Sequence, residues 1–211
     1  AVDIKRRERN ESHRLIEDLM VLANETVARH FSKRGVPFVY RVHEAPEADR
    51  LESLAELAAA CGFATRRLKD GVRQNDLGEL IRKAKETKYA RLISTQVLRT
   101  MAKARYDSSP LGHFGLSLAD YCHFTSPIRR YPDTSIHRIL TDLISGVPID
   151  KIQEHYADFA QESARLSSER ELRAMRAERD AEKCYAAEYM SSHIGEIHEG
   201  IVSGITNKGL F

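Results

Sequence analysis

Eleven residues in the second half of the chain, HFTSPIRRYPD from His123 to Asp133, concentrate groups able to handle an anion. Two adjacent arginines, Arg129 and Arg130, stand between Pro127 and Pro132, with His123, Thr125 and Ser126 before them and Asp133 and His137 after them. A guanidinium is permanently charged and presents a planar fork of donors, which matches the paired oxygens of a phosphodiester. Thr125 or Ser126 is a good N-cap and Pro127 a natural first helical residue, so the spacing predicts a helix start whose free N–H groups also favour an anion. Pro132 must kink that helix or restart it, because it has no N–H for the carbonyl of Ile128. If the register persists, Arg129, Asp133 and His137 share one polar stripe at i, i+4 and i+8, and Asp133 is expected to orient Arg129. Ile136, Ile139, Leu140 and Leu143 then bury the opposite side. Spacing alone leaves two readings open: a phosphate grip, and a capped helix with two surface arginines.

The elements that must position this cluster follow from apolar periodicity. Ser12 is expected to cap a long buried helix with Leu15, Leu19 and Leu22 at helical spacing, running up to Gly35. FVYRVH, residues 38–43, reads as a short strand, and Pro46 as the start of a helix to about Gly62. Residues 75–86 and 88–104 read as two further helices, residues 105–122 as strand or loop, and residues 150–192 as one or two long helices. The closing GEIHEGIVSGITNKGLF has four glycines among alternating Ile/Val and polar residues, which is strand-and-turn composition.

At 211 residues and 42% apolar content the chain has material for a sizeable core. No run approaches the roughly 18 to 20 apolar residues of a membrane span, and the opening AVDIKRRERNESHR is charged, so a soluble, cytoplasmic protein with no membrane partner is expected. Cys61, Cys122 and Cys184 are an odd, scattered set without a C-x-x-C pair, which supports neither a disulfide framework nor a zinc knuckle. The nine histidines contain no H-E-x-x-H pattern, and His113, His123 and His137 lie at intervals of 10 and 14 that match no familiar metal spacing. Ser126 lacks the G-x-S-x-G setting of a nucleophile. The net charge of +2 hides an uneven distribution: residues 66–105 carry twelve Lys/Arg against four Asp/Glu. Such a run either steers a polyanion or forms solvated helix faces.

HFTSPIRRYPD followed by HR resembles the signature of the ribonuclease II / ribonuclease R family, processive exoribonucleases that degrade RNA from its 3′ end, with ribonuclease R the nearer of the two. ESHRLIEDLMVLANETVA, PFVYRVHEAP and ERELRAMRAERDAEKCYAAEYM are similar to further family segments, so the likeness extends over essentially the whole chain. It implies an α+β fold: residues 1–193 as the mostly helical C-terminal part of a ribonuclease II-type catalytic domain with a few strands, and residues 194–211 as the first strands of a truncated RNA-binding OB-fold β-barrel. It further implies that Arg129 acts at the scissile phosphate and that Arg130 holds a neighbouring phosphate. Glu178, in AERD, would lie near the 3′-terminal nucleotide, and His123, Thr125 and Ser126 would shape the floor of the RNA channel. The implied substrate is single-stranded RNA with a free 3′ end, and the implied products are nucleoside 5′-monophosphates.

Family members hold their metal with a D-x-x-x-x-x-D-x-D-D cluster, because hydrolysis needs an activated water and neutralised phosphate oxygens. Every aspartate here is isolated, none adjacent to another or separated from it by one residue. The Mg²⁺ ligands are therefore expected upstream of Ala1, in the N-terminal half of the catalytic domain. The 211 residues alone are expected to be inactive, with that half and the rest of the OB-fold module as partners. The alternative, of a different class, is a non-catalytic RNA-binding or assembly module.

Overall fold

The computed structural model describes residues 9–69, 71–198, 202, 205–207 and 209–210. These fall into two compact units, Asn10–Arg170 and a second made of Arg9 with the segment from Glu171 onward.

In the first unit, helix α1 (Glu11–Ser32) is capped by Asn10, whose side chain accepts from the His13 N–H while His13 Nδ1 accepts from the Asn10 N–H. That reciprocal pair, two residues ahead of the expected cap, displaces Ser12 from the capping role. The expectation of a buried α1 is corrected: only Asn24, Ala28 and Phe31 are buried, while Leu15 is 60% and Leu22 59% exposed. The helix packs by its last two turns, and its apolar N-terminal half has no cover among the described residues.

Strand β1 (Tyr40–Val42) pairs antiparallel with β2 (Arg105–Asp107), Arg41 standing opposite Tyr106. Between them lies a helical insert: α2 (Ala48–Ala60), α3 (Arg66–Lys69), α4 (Gln74–Ala84) and α5 (Ala90–Thr100). Leu54, Ala58, Leu77, Leu80, Ile93 and Val97 give it a core of its own. Pro46 precedes α2 rather than opening it, since Glu47 is the N-cap. After β2 come a loop, α6 (Tyr131–Ile144) and α7 (Ile149–Met190), one continuous helix of 42 residues.

The main core joins Phe31, Phe38, Val42, Ile136, Ile139 and Ile152. Phe31 and Phe38 stack at 4.4 Å between ring centroids. Each such fully buried side chain contributes about 1.5–3 kcal/mol. On α7, Ile152, Tyr156, Ala160, Ser163, Ala164 and Ser167 recur at helical spacing and are buried. Ser163 meets Ser135 of α6 at 2.8 Å, and the Tyr156 hydroxyl donates to Asp142 at 2.7 Å, which together clamp α6 to α7.

In the second unit, α7 continues to Met190 and a 3₁₀ turn follows at Ser191–His193. Strands β3 (Ile205–Thr206) and β4 (Gly209–Leu210) pair antiparallel. The OB-fold expectation for residues 194–211 falls in part on 199–201, 203, 204, 208 and 211, which lie outside the described residues.

Candidate nucleic-acid interface

Pro132 restarts the chain into α6, so the helix begins at Tyr131 with Arg130 as its N-cap. Residues 127–129 form a turn instead, in which the N–H groups of Arg129 and Arg130 both donate to the Ser126 carbonyl. The predicted N-cap at Thr125 or Ser126 is thereby corrected. Pro127 opens a turn for the same reason that Pro132 opens a helix: each has a fixed φ and no N–H to lose.

This changes the partner of Asp133. With Arg129 outside the helix the i, i+4 geometry does not exist, and Asp133 at N3 reaches the N-cap residue instead. Its Oδ1 accepts from Arg130 Nη2 at 2.8 Å and from the Ser126 N–H at 2.7 Å. Asp133 is fully buried and the Arg130 side chain is 20% exposed, so the pair is screened little by water. Arg129 is exposed at the tip of the turn beside Ile128, which is fully exposed. Asp133 therefore does not orient Arg129 by direct contact; it anchors the two ends of the turn that carries it.

Other groups complete the anchor. Thr134 Oγ1 donates to the Pro127 carbonyl at 3.0 Å. His137 Nε2 lies 3.0 Å from the Phe124 carbonyl, which can only accept, so the ring proton is on Nε2. The same ring stacks on Phe124 at 4.3 Å and 7°. On the far side Asn24, buried in α1, accepts from the Phe124 N–H at 2.9 Å and donates to the Tyr121 hydroxyl at 3.1 Å. Asn24 escaped the sequence reading. Its signal was a lone amide among the apolar positions of α1, where a polar side chain needs a specific partner.

His123 is the meeting point of the site. Its Nδ1 lies 2.9 Å from the Tyr106 hydroxyl of β2, and Arg41 of β1 places its guanidinium 4.6 Å from the Tyr106 ring centroid. Burial, then the charges of Arg130 and Arg41, followed by His113 and Arg129, pushes His123 down to about 3. His113 is likewise pushed down to about 4, by burial first and then by His43 and Arg41. Both imidazoles are neutral at pH 7. Tyr121 sits edge-on between them, 5.1 Å from His113 and 5.9 Å from His123. Farther along, His43 Nδ1 accepts from the Gly115 N–H and its Nε2 faces the Ala102 carbonyl, both at 2.9 Å. A Cβ at position 115 would lie 2.8 Å from His43 Nδ1, so only glycine fits. His43 and His113 also line an open cleft of about 690 Å³ with Arg73, Leu111 and Phe114.

The structure thus brings His123, Ser126, Arg129, Arg130 and Asp133 together around one turn, with Thr125 half-buried in the segment that leads into it. Glu178 lies on α7 in the second unit and is exposed. In the basic segment 66–105, Arg67 and Lys83 pair with Glu79 and Arg105 with Asp107, while Arg82, Lys85, Lys88, Arg91, Arg99 and Lys103 are exposed. Among the described residues no group of three or more His, Cys, Asp or Glu side chains is arranged to hold a metal ion. No helix among them is long and apolar enough to cross a membrane.

Comparison with known proteins places this geometry. The RNB domain model matches residues 1–146. Ribonuclease R 1 of Lactococcus lactis is 43% identical over 210 residues, covering 100% of this chain and 26% of that protein. Among solved structures, Mycoplasma genitalium RNase R in complex with ribose methylated single-stranded RNA superposes with a TM-score of 0.88 at 30% identity, covering 97% of this chain and 32% of that one. Its complex with double-stranded RNA gives 0.85 at 28% identity, covering 96% and 37%. The chain thus spans about a quarter to a third of the length of the relatives it matches.

Proposed function

The chain belongs to the RNB-domain family of ribonuclease II / ribonuclease R type, and on that premise we propose that it is the RNA-gripping part of a processive, metal-dependent 3′-to-5′ exoribonuclease releasing nucleoside 5′-monophosphates. The observation that carries the reading is the turn at residues 127–129, tied down at both ends by buried Asp133 and presenting Arg129 at its tip. The anchored turn fixes the backbone that carries Arg129, and from its tip the guanidinium can reach a phosphate and stabilise the charge that builds as the P–O bond breaks. Arg130, with Nη2 committed to Asp133, keeps Nη1 for a neighbouring phosphate. His123, Thr125 and Ser126 form the floor beneath the strand, and neutral His123 adds no charge that would trap the product. Glu178 is assigned to the 3′-terminal nucleotide on family likeness alone.

A divalent metal, Mg²⁺ in this proposal, would supply the activated water and neutralise phosphate oxygens. Among the described residues no donor set fits such an ion. Its carboxylates are proposed to come from the N-terminal half of the catalytic domain, and the exposed face of α1 at Leu15, Ile16, Leu19 and Leu22 is proposed to pack against that half. The rest of the OB-fold module is the proposed continuation of residues 194–211. The substrate is proposed to be single-stranded RNA with a free 3′ end; the complex of the M. genitalium protein with single-stranded RNA supports the choice of RNA, and the 3′ end rests on family likeness. Cys61, Cys122 and Cys184 are all unpaired, which supports a reducing, cytoplasmic setting.

The deciding experiment is Arg129→Ala in the full polypeptide that carries this chain. A transition-state role predicts a loss of about 10²- to 10³-fold in kcat with RNA affinity changed less than about tenfold. Equal losses in binding and turnover, or an unaltered kcat, would refute that role and leave Arg129 a binding residue, while absence of turnover in the parent polypeptide would favour the non-catalytic module.

A further inference from the structure

The open cleft of about 690 Å³ lies between the helical insert and the loop that follows β2, and none of its lining residues belongs to the segment 123–133. One wall is the start of α4, with Arg73, Gln74 and Asn75. The other is the loop 111–118, with Leu111 and with Phe114 of the 3₁₀ turn Phe114–Leu116. Main-chain bonds fix this second wall: the His113 N–H donates to the Leu118 carbonyl at 2.8 Å and the Phe114 N–H to the His43 carbonyl at 2.7 Å. His43, only 9% exposed, ties the cleft to the end of the insert, its Nε2 lying 2.9 Å from the Ala102 carbonyl. The volume falls within the roughly 300–1,000 Å³ of small-molecule sites.

The walls differ in chemistry. The N-cap position of α4, where an oxygen acceptor is usual, is held by Arg73, a side chain that can only donate. Arg73 is 87% exposed and its Nε stands 3.9 Å from Asp76 Oδ2, so its charge is loosely paired. Positive charge at this end of a helix is opposed by the helix dipole, and an arriving anion relieves that opposition. The N–H groups of Gln74 and Asn75 have no acceptor among the described residues. Across the cleft, Phe114 and Leu111 give an aromatic and an apolar surface, while the Gln74 and Asn75 amides each offer a donor and an acceptor. The exposed Glu44 carboxylate, also on the lining, accepts from hydroxyls. Donors for a phosphate, a flat apolar wall, paired amides and an acceptor for a sugar match the parts of a nucleotide.

We propose that this cleft is a second nucleotide site, taking one 5′-phosphorylated nucleoside unit with its phosphate on Arg73 and the first turn of α4 and its base against Phe114 and Leu111. The choice of ligand rests on the exoribonuclease reading above, which makes such units the molecules at hand. They come from two sources, free mononucleotide and one unit of a strand, and both carry the same chemistry into the cleft.

The test uses the full polypeptide that carries this chain, with the arginine turn occupied by a saturating, short, ribose-methylated single-stranded RNA. Equilibrium dialysis then measures the binding of adenosine 5′-monophosphate. One further molecule is expected to bind, with inorganic phosphate competing more weakly. Arg73→Glu should weaken that binding at least about tenfold, by loss of the charge-assisted contact. Its Tm should not fall, because a carboxylate suits the start of a helix. Asn75→Trp, at an exposed position on the cleft wall, should abolish binding by filling the space. Absence of adenosine 5′-monophosphate binding beyond the turn, or unchanged binding in either variant, overturns the proposal. Should one variant fail to fold, the other decides. Replacing the short RNA by a long one separates the sources: displacement of the mononucleotide assigns the cleft to a unit of the strand, and its retention assigns the cleft to free mononucleotide. Either result upholds a nucleotide site. Loss of binding in Arg73→Glu upholds the cleft even where Arg129→Ala leaves turnover unaltered, so the exoribonuclease reading and this site can fail separately.

Discussion

Asp133 grips Arg130, three residues before it, and leaves Arg129 at the exposed tip of the turn. Two neighbouring arginines of identical chemistry thereby acquire different duties, one bound into the fold and one presented outward. The difference arises from the backbone: residue 130 caps α6 and residue 129 precedes it.

The division predicts opposite phenotypes. Arg130→Ala leaves Asp133 buried without a counter-ion and should cost roughly 2–4 kcal/mol of stability, somewhat below a fully buried pair because Arg130 retains some solvent contact. Arg129→Ala should move the Tm by less than about 2 °C, the range of an exposed side chain. Thermal unfolding of the two variants checks this, and equal shifts would contradict the assignment.

Asn24 is predicted to be a structural clamp whose loss reaches the site indirectly. Asn24→Leu strands the Phe124 N–H and the Tyr121 hydroxyl and should cost about 2–4 kcal/mol in all. Tyr121→Phe removes only one of those bonds and should cost about 1 kcal/mol. Chemical denaturation of the pair provides the measurement, and a smaller effect for Asn24→Leu than for Tyr121→Phe would refute the clamp.

Acid should destabilise the fold before the carboxylates titrate. His123 and His113 have folded-state values near 3 and 4, below the 6.5 of an open chain, so between those limits the unfolded state binds more protons. Stability is then greatest above pH 6.5 and falls as pH drops toward 4, by up to about 1 kcal/mol per pH unit for each ring. His123→Gln should flatten that slope between pH 6.5 and 4. A Tm profile that is level over this window in the parent protein would contradict the neutral, buried state of both rings.

The apolar N-terminal half of α1 gives a fourth prediction. In the full polypeptide, Leu15→Glu with Leu19→Glu should lower stability by at least about 3 kcal/mol if that face is covered as proposed, since two charges would then be buried. An unaltered Tm would mean the face stays in water.

How far the sequence reached can be judged from particular residues. Helical spacing located α1, α2, α4, α5 and α7, because apolar periodicity is a local property and survives in any context. The likeness of HFTSPIRRYPD to a nuclease signature indicated the family over the whole chain. Sequence could not say which side of α1 is buried: Leu15 and Phe31 have the same local credentials, and what separates them is whether another element lies alongside.

What the linear order determined, then, was composition, periodicity and motif: a mostly helical α+β chain carrying paired arginines in a segment that resembles a ribonuclease signature. The pairing of Asp133 with Arg130 rather than Arg129, the amide of Asn24 under the turn, and the arrival of Arg41 beside Tyr106 and His123 were decided by the tertiary structure alone. The physical reason is that these contacts depend on where the helix starts and on chain segments brought together across 17 to 100 positions of sequence. Neither distance nor burial between such segments is written in local spacing.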